Sequence, residues 1–155
     1  MIPDLTSLKL IDDKPLTAFE INGEICRSSP LTHSSEYDNH EFMEACKRNN
    51  VMKASYYLSH VMNVNIVSED KQWSGLTIAA YNNCIEVLDW LLKLPGIDVN
   101  IKTVANLHFG KNWTPLMFAC RAGNWKIVKR LCREPNIDFN YKDRNGCNAA
   151  HLSAR

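Results

Sequence analysis

Cysteine and histidine are the residues here that can serve as nucleophile, proton carrier or metal ligand, so their spacing bounds the chemistry. Cys147 and His151 lie four apart and would share one face of a helix, the placement in which an imidazole can take a proton from a thiol. The five histidines (33, 40, 60, 108 and 151) fall at no metal-ligand spacing, and the six cysteines (26, 46, 84, 120, 132 and 147) include no C-x-x-C pair. No G-x-S-x-G, P-loop or H-E-x-x-H run is present, so the expectation is a chain that is not an enzyme and has no catalytic residues, metal, cofactor or small-molecule substrate. A second constellation is cationic. Residues 110–133 hold six Lys or Arg and no Asp or Glu, and Lys126, Lys129, Arg130 and Arg133 fall on one side of a helical stretch. They read as a solvated outer face, or as a phosphate-binding stripe, and suggest an acidic neighbour. The third is aromatic: Trp73 and Trp113 each stand directly before a Ser or Thr that can cap a helix.

Composition narrows the setting for these groups. The 155 residues carry 18 basic and 17 acidic side chains, a net charge of +1, which supplies no general attraction to nucleic acid or to an acidic membrane. No apolar run approaches the roughly 20 residues of a membrane span, and Met1–Leu10 has neither the basic start nor the apolar stretch of a signal sequence. A soluble, intracellular chain is expected, cytoplasmic with the nucleus also open. Its scattered cysteines are read as reduced thiols, with Cys46 and Cys120 at positions that want small buried residues.

Self-similarity supplies the elements. Ser74–Ala80, Thr114–Cys120 and Asn148–Ala154 share a capping residue, a small residue or proline, then apolar positions ending in two small ones, and Phe42–Cys46 is a degenerate fourth copy. Cys46, Ala80, Cys120 and Ala154 mark a period of 34, 40 and 34 residues, a helical repeat with one insertion. Thr114 is placed to cap a helix that begins at Pro115 and ends at Gly123. A second helix runs Trp125–Arg133 with Ile127, Val128, Leu131 and Cys132 inward, and Trp125 is expected to pack between repeats. Pro135 stops it.

These residues resemble the ankyrin repeat family, whose pattern is G-x-T-P-L-H-x-A-A, then Gly-His and an apolar helix, then Asp-Val-Asn. Thr114-Pro115-Leu116, Gly123-Asn124, Ile127-Val128-Lys129, Asp98-Val99-Asn100, Gly146 and His151 carry the resemblance. It implies an all-α fold, a solenoid of helix-turn-helix units with hairpin fingers. The organisation expected is a non-repeat N-terminal segment at 1–37, partly linker, and repeats over 38–155: a degenerate first at 38–69, a second at 70–103, a third at 104–142 with an enlarged finger, and an incomplete fourth at 143–155. The chain is expected to be a fragment or truncated product. Within 1–37, Leu8–Ile11 and Leu16–Ile21 are candidates for a small hairpin. Departures from the pattern are Gln72 and Asn112 for the turn glycine, Gly75 for proline, and Thr77 and Met117 for histidine, so less regular loops are expected there. His151 takes the family's structural histidine position, which argues against a Cys147–His151 catalytic pair.

What the resemblance implies for function is protein–protein interaction by a scaffold or adaptor, through the concave face and fingers, with no nucleic acid or membrane as partner. Trp73, Tyr81, Trp113, Arg121 and the finger residues His108, Phe109 and Lys111 fall at or beside the family's variable positions and form the expected partner-binding surface. Stacked aromatics on a rigid face carry much of an interface's energy. Trp73 and Trp113 have a second reading, as covers for the neighbouring finger. The alternative overall is a regulatory or targeting segment of a larger enzyme, channel or ubiquitin-ligase receptor. Leu92–Asn100 is similar to the family's asparagine hydroxylation signature, with Asn100 as acceptor or, structurally, as a brace of its hairpin.

Overall fold

The computed structural model describes residues 9–10, 18–21, 24–27, 35–61, 63–68, 73–103 and 112–154. Near the N-terminus three strands, β1 (Lys9–Leu10), β2 (Ala18–Ile21) and β3 (Glu24–Arg27), form an antiparallel sheet in chain order. Leu10 pairs with Phe19, the hairpin expected from the sequence. The third strand was not expected, so the all-α class holds for the repeats and not for this segment. Its signal is present: Ile21 pairs with Glu24, and the sequence between them is Asn22-Gly23, the dipeptide that most favours a two-residue hairpin.

Among the described residues seven helices follow: α1 (Ser35–Lys47), α2 (Val51–Val61), α3 (Gly75–Tyr81), α4 (Ile85–Leu92), α5 (Pro115–Ala122), α6 (Trp125–Leu131) and α7 (Ala149–Ser153). Helix α1 opens three residues before the boundary read at residue 38. The helices pair as α1 with α2, α3 with α4 and α5 with α6, and pack by layer: α1, α3, α5 and α7 in one row, α2, α4 and α6 in the other. The core lies between the rows, with Phe42, Tyr57, Leu76, Leu88, Leu91, Ile127 and Leu131 almost wholly buried. Helices of five to 13 residues are too short to persist alone, so packing between neighbours holds them.

Local chemistry repeats with the fold. At the turn inside each pair, Asn49, Asn83 and Gly123 take left-handed backbone (φ 57°, 60° and 72°), a conformation open to glycine and tolerated by asparagine. Ser74 Oγ accepts from the Thr77 amide while Thr77 Oγ1 accepts from the Ser74 amide at 2.7 Å. Asn148 and His151 exchange the same two bonds, His151 accepting through Nδ1. Thr77 therefore does the work of the histidine it replaces, and the cap of α3 is complete; Gln72, the other departure expected to loosen this loop, lies outside the described residues. Asn112 (φ 65°) likewise stands in for the turn glycine. Gly75 has a tighter reason: a Cβ at this position would lie 2.9 Å from the Phe42 ring, so the phenyl group of α1 fills the space that proline occupies in the family pattern.

The hairpins are braced by an asparagine ladder. Asn65 donates to Gly96 O at 2.7 Å and accepts from Asp98 N, and Asn100 donates to Asn136 O at 2.6 Å and accepts from Asp138 N. Each amide thus satisfies backbone groups of the next repeat that hairpin geometry leaves over.

Candidate functional site: the inner-helix groove

Helices α1 and α3 leave a groove of about 400 Å³ between them. Helix α1 contributes His40, Met43, Glu44 and Lys47, α3 contributes Ile78 and Tyr81, and Ser68 and Trp73 close one end from the hairpin base. The floor is apolar, since Met43 and Ile78 belong to the core. Lys47 reaches Glu44 at 3.4 Å, Arg48 Nε lies 3.6 Å from the same carboxylate, and His40 Nδ1 lies 3.7 Å from Glu41. An apolar trough with mixed charge along its rim suits capture of a partner's side chain, with polar groups fixing its orientation.

Trp73 is set in place by backbone pairing before its ring makes any contact. Ser68 N donates to Trp73 O at 2.7 Å and Trp73 N donates to Ser68 Oγ at 3.1 Å. The ring then lies 5.6 Å from Tyr81 and 5.1 Å from Phe118, and Tyr81 meets Phe118 edge-on at 6.2 Å. Half-buried Trp73 and Tyr81 thus rest on the buried Phe118 of α5, whose support limits their rotamers. The sequence pattern treats Phe118 as a plain core position and gives no sign of this role. The α1 side was legible in principle, because counting one 34-residue period back from Tyr81 reaches Lys47.

Trp113 does not share the groove. It is only 4% exposed and packs with Met117, Phe118 and Leu152 between the third and fourth units. Its Nε1 donates to Asp143 Oδ2 at 2.9 Å, and its carbonyl accepts from Thr103 N. The partner-contact reading of Trp113 is therefore corrected. Asp143 stands at the base of the following hairpin, and pairing with it draws the indole inward, so Trp113 covers the neighbouring finger as the second reading had it. Arg121 is exposed at the end of α5. His108, Phe109 and Lys111 lie outside the described residues.

The other expectation overturned is Trp125. Instead of packing between repeats, it is 65% exposed on the outer side of α6. Arg130, read as part of a free cationic stripe, is instead ion-paired to Asp89 of α4 and to Glu134. Cys46 is buried and Cys120 half-buried; burial, with the nearby Cys84 adding to it, pushes the Cys46 thiol far above its ordinary value, so it is an inert packing group. Among the described residues no group of three His, Cys, Asp or Glu could hold a metal ion, and no helix is long and apolar enough to cross a membrane.

Asp143 gives the site's support a pH dependence. Burial alone would raise its carboxyl, but Trp113 Nε1 and the Cys147 and Asn145 amides more than offset this, and the net shift is downward from 3.8. A depressed folded-state pKa means the stabilisation is complete above the unfolded value and is lost as pH falls through the folded one. Acid unfolding of Asp143→Asn should accordingly show a shallower loss of stability below about pH 4 than the parent chain, measured by denaturant titration at stepped pH. Parallel curves would remove the assigned role.

Comparison with known proteins agrees with this geometry. Residues 76–132, helix α3 through α6, match the family described as Ankyrin repeats (many copies). The human "SMC5-SMC6 complex localization factor protein 1" is 43% identical over 67 residues, 43% of this chain and 6% of that protein. The bovine protein of the same name is 39% identical over 67 residues, and the mouse protein 41% over 58. The matched stretches thus span only 5–6% of the length of these relatives. With the capped helix pairs, the left-handed turns and the asparagine-braced hairpins in register, residues 76–132 of this chain are ankyrin repeats.

Proposed function

We infer that this chain is a non-catalytic protein-interaction module, an ankyrin solenoid whose inner-helix groove takes an apolar or aromatic side chain from a protein partner. The observation that carries this reading is the groove between α1 and α3, where half-buried Trp73 and Tyr81 are backed by Phe118 and border an apolar floor. Solenoids present such surfaces because each unit touches only its neighbours. The relatives are named as localization factors of the SMC5-SMC6 complex, which supports an adaptor that brings one protein to another and favours the nucleus over the cytoplasm. Arg121 extends the surface beyond the groove. Asn100 we assign to bracing, because both ends of its amide are bonded to the next hairpin.

A second reading, a targeting segment within a larger protein, is favoured by the small share of each relative that the repeats occupy. Both readings use the same groove. Affinity capture from nuclear extract, compared between the parent chain and Tyr81→Ala, should lose a specific protein in the variant. Titration of that protein should then show a loss of about 2 kcal/mol, roughly thirtyfold. Equal capture and equal affinity would exclude the groove as the binding site.

A further inference from the structure

The outer side of α6 combines an exposed indole with unspent positive charge. Trp125 is 65% exposed, whereas Ile85, its counterpart one repeat earlier, packs half-buried against the core. An indole turned to water forgoes the burial this position elsewhere provides. The Lys126 ammonium lies 5.9 Å from its ring centroid, and Lys129, four residues on, shares the indole's helical face. Lys126, Lys129 and Arg133 are all exposed and have no ion pair among the described residues, while Arg130 between them is held by Asp89 and Glu134. That ion pair fastens α6 to α4, so the free cations and the indole sit on a fixed base.

We propose that this face docks an acidic peptide segment of a protein partner, at a site separate from the groove. The indole covers an apolar residue of the segment, and Lys126, Lys129 and Arg133 pair with carboxylates flanking it. The spacing suits an extended chain: four residues of helix rise roughly 6 Å, close to the about 7 Å between alternate residues of a strand. An apolar residue over Trp125 thus places a carboxylate two residues on near Lys129. Charge complementarity selects an anionic occupant, and the chemistry favours a peptide over nucleic acid. Nucleic-acid affinity grows with the number of phosphates neutralised, and three free cations on a chain of net charge +1 supply few. Aromatic, apolar and basic groups side by side instead match a peptide that carries both apolar and acidic side chains. The groove belongs to the row of α1 and α3, and this face to the row of α4 and α6, so both can be filled at once.

The test uses a fluorescently labelled soluble peptide with one leucine flanked by glutamates, read by anisotropy, with labelled single-stranded DNA of equal charge as competitor class. Binding of the peptide should weaken at least about tenfold in Lys126→Glu/Lys129→Glu, and similarly in Trp125→Ser. It should also weaken with added salt and be unchanged in Tyr81→Ala, which separates this face from the groove. Because the substituted side chains are exposed, melting curves should stay near the parent's; if the double reversal does not fold, Trp125→Ser decides alone. Affinity unchanged in the foldable variants, loss in Tyr81→Ala, or tighter binding of the DNA than of the peptide would each overturn the proposal.

Discussion

Replacing Trp113 by alanine is expected to destabilise the fold by about 3 kcal/mol or more, the cost of emptying a buried aromatic site. The effect has two parts. The indole fills the space between the third and fourth units against Met117, Phe118 and Leu152, and its Nε1 is one of the donors that satisfy Asp143. Trp113→Phe keeps most of the packing and removes the donor, so it should cost about 1–3 kcal/mol through the carboxylate left short of a partner. Denaturant and thermal melts of the two variants separate the parts. Partner affinity, measured where the fold is intact, should change little in Trp113→Phe. A loss of stability under about 1 kcal/mol in the alanine variant would return Trp113 to the surface.

The second large effect concerns Gly75, where the chain departs from the family's proline. Proline at the first helical position is ordinarily harmless, and Ser74 before it already has the extended backbone (ψ 165°) that proline requires of its neighbour. Restoring the family residue should nonetheless destabilise, because a Cβ there meets the fully buried Phe42 ring at 2.9 Å and Cys46 Sγ at 3.3 Å. Gly75→Ala should cost about 1–3 kcal/mol by overpacking, and Gly75→Pro more. Combined with Phe42→Leu, the penalty should shrink, a coupling between residues in contact that a double-mutant cycle measures. Strict additivity would show that the contact is not the cause.

How much of this was open to sequence reading depends on which interaction set the outcome. Helix starts and stops follow from local chemistry, so Thr114, Pro115 and Gly123 announced α5 within a residue of where it lies. The 34-residue period carried the helix pairing, because every unit must bury the same face against its neighbours. Trp125, and Trp113 in its partner-contact reading, were misplaced for a shared reason. Position in a repeat fixes the backbone, but whether an indole turns inward depends on a tertiary partner. Trp113 is drawn in by Asp143, 30 residues on, while at Trp125 the core stripe is already filled by Ile127 and Leu131. The groove was half legible: Trp73 and Tyr81 stood out as aromatics at variable positions, but its other wall lies in α1, whose copy of the pattern is the most degenerate. Beneath them, Phe118 looks like any apolar helix residue until ring contacts are seen. Gly75 reads in sequence as a lapse from the family pattern, and only Phe42 in the adjacent helix explains it.

Hydrogen exchange of the chain bound to its captured protein partner reads which row of helices the partner covers. Exchange should slow on binding in residues 40–47 and 73–82, the two walls of the groove, with the amides around Trp113 unchanged because that side chain packs outside the groove. Protection confined to the α2 and α4 row, with none at 40–47 or 73–82, would contradict binding in the groove.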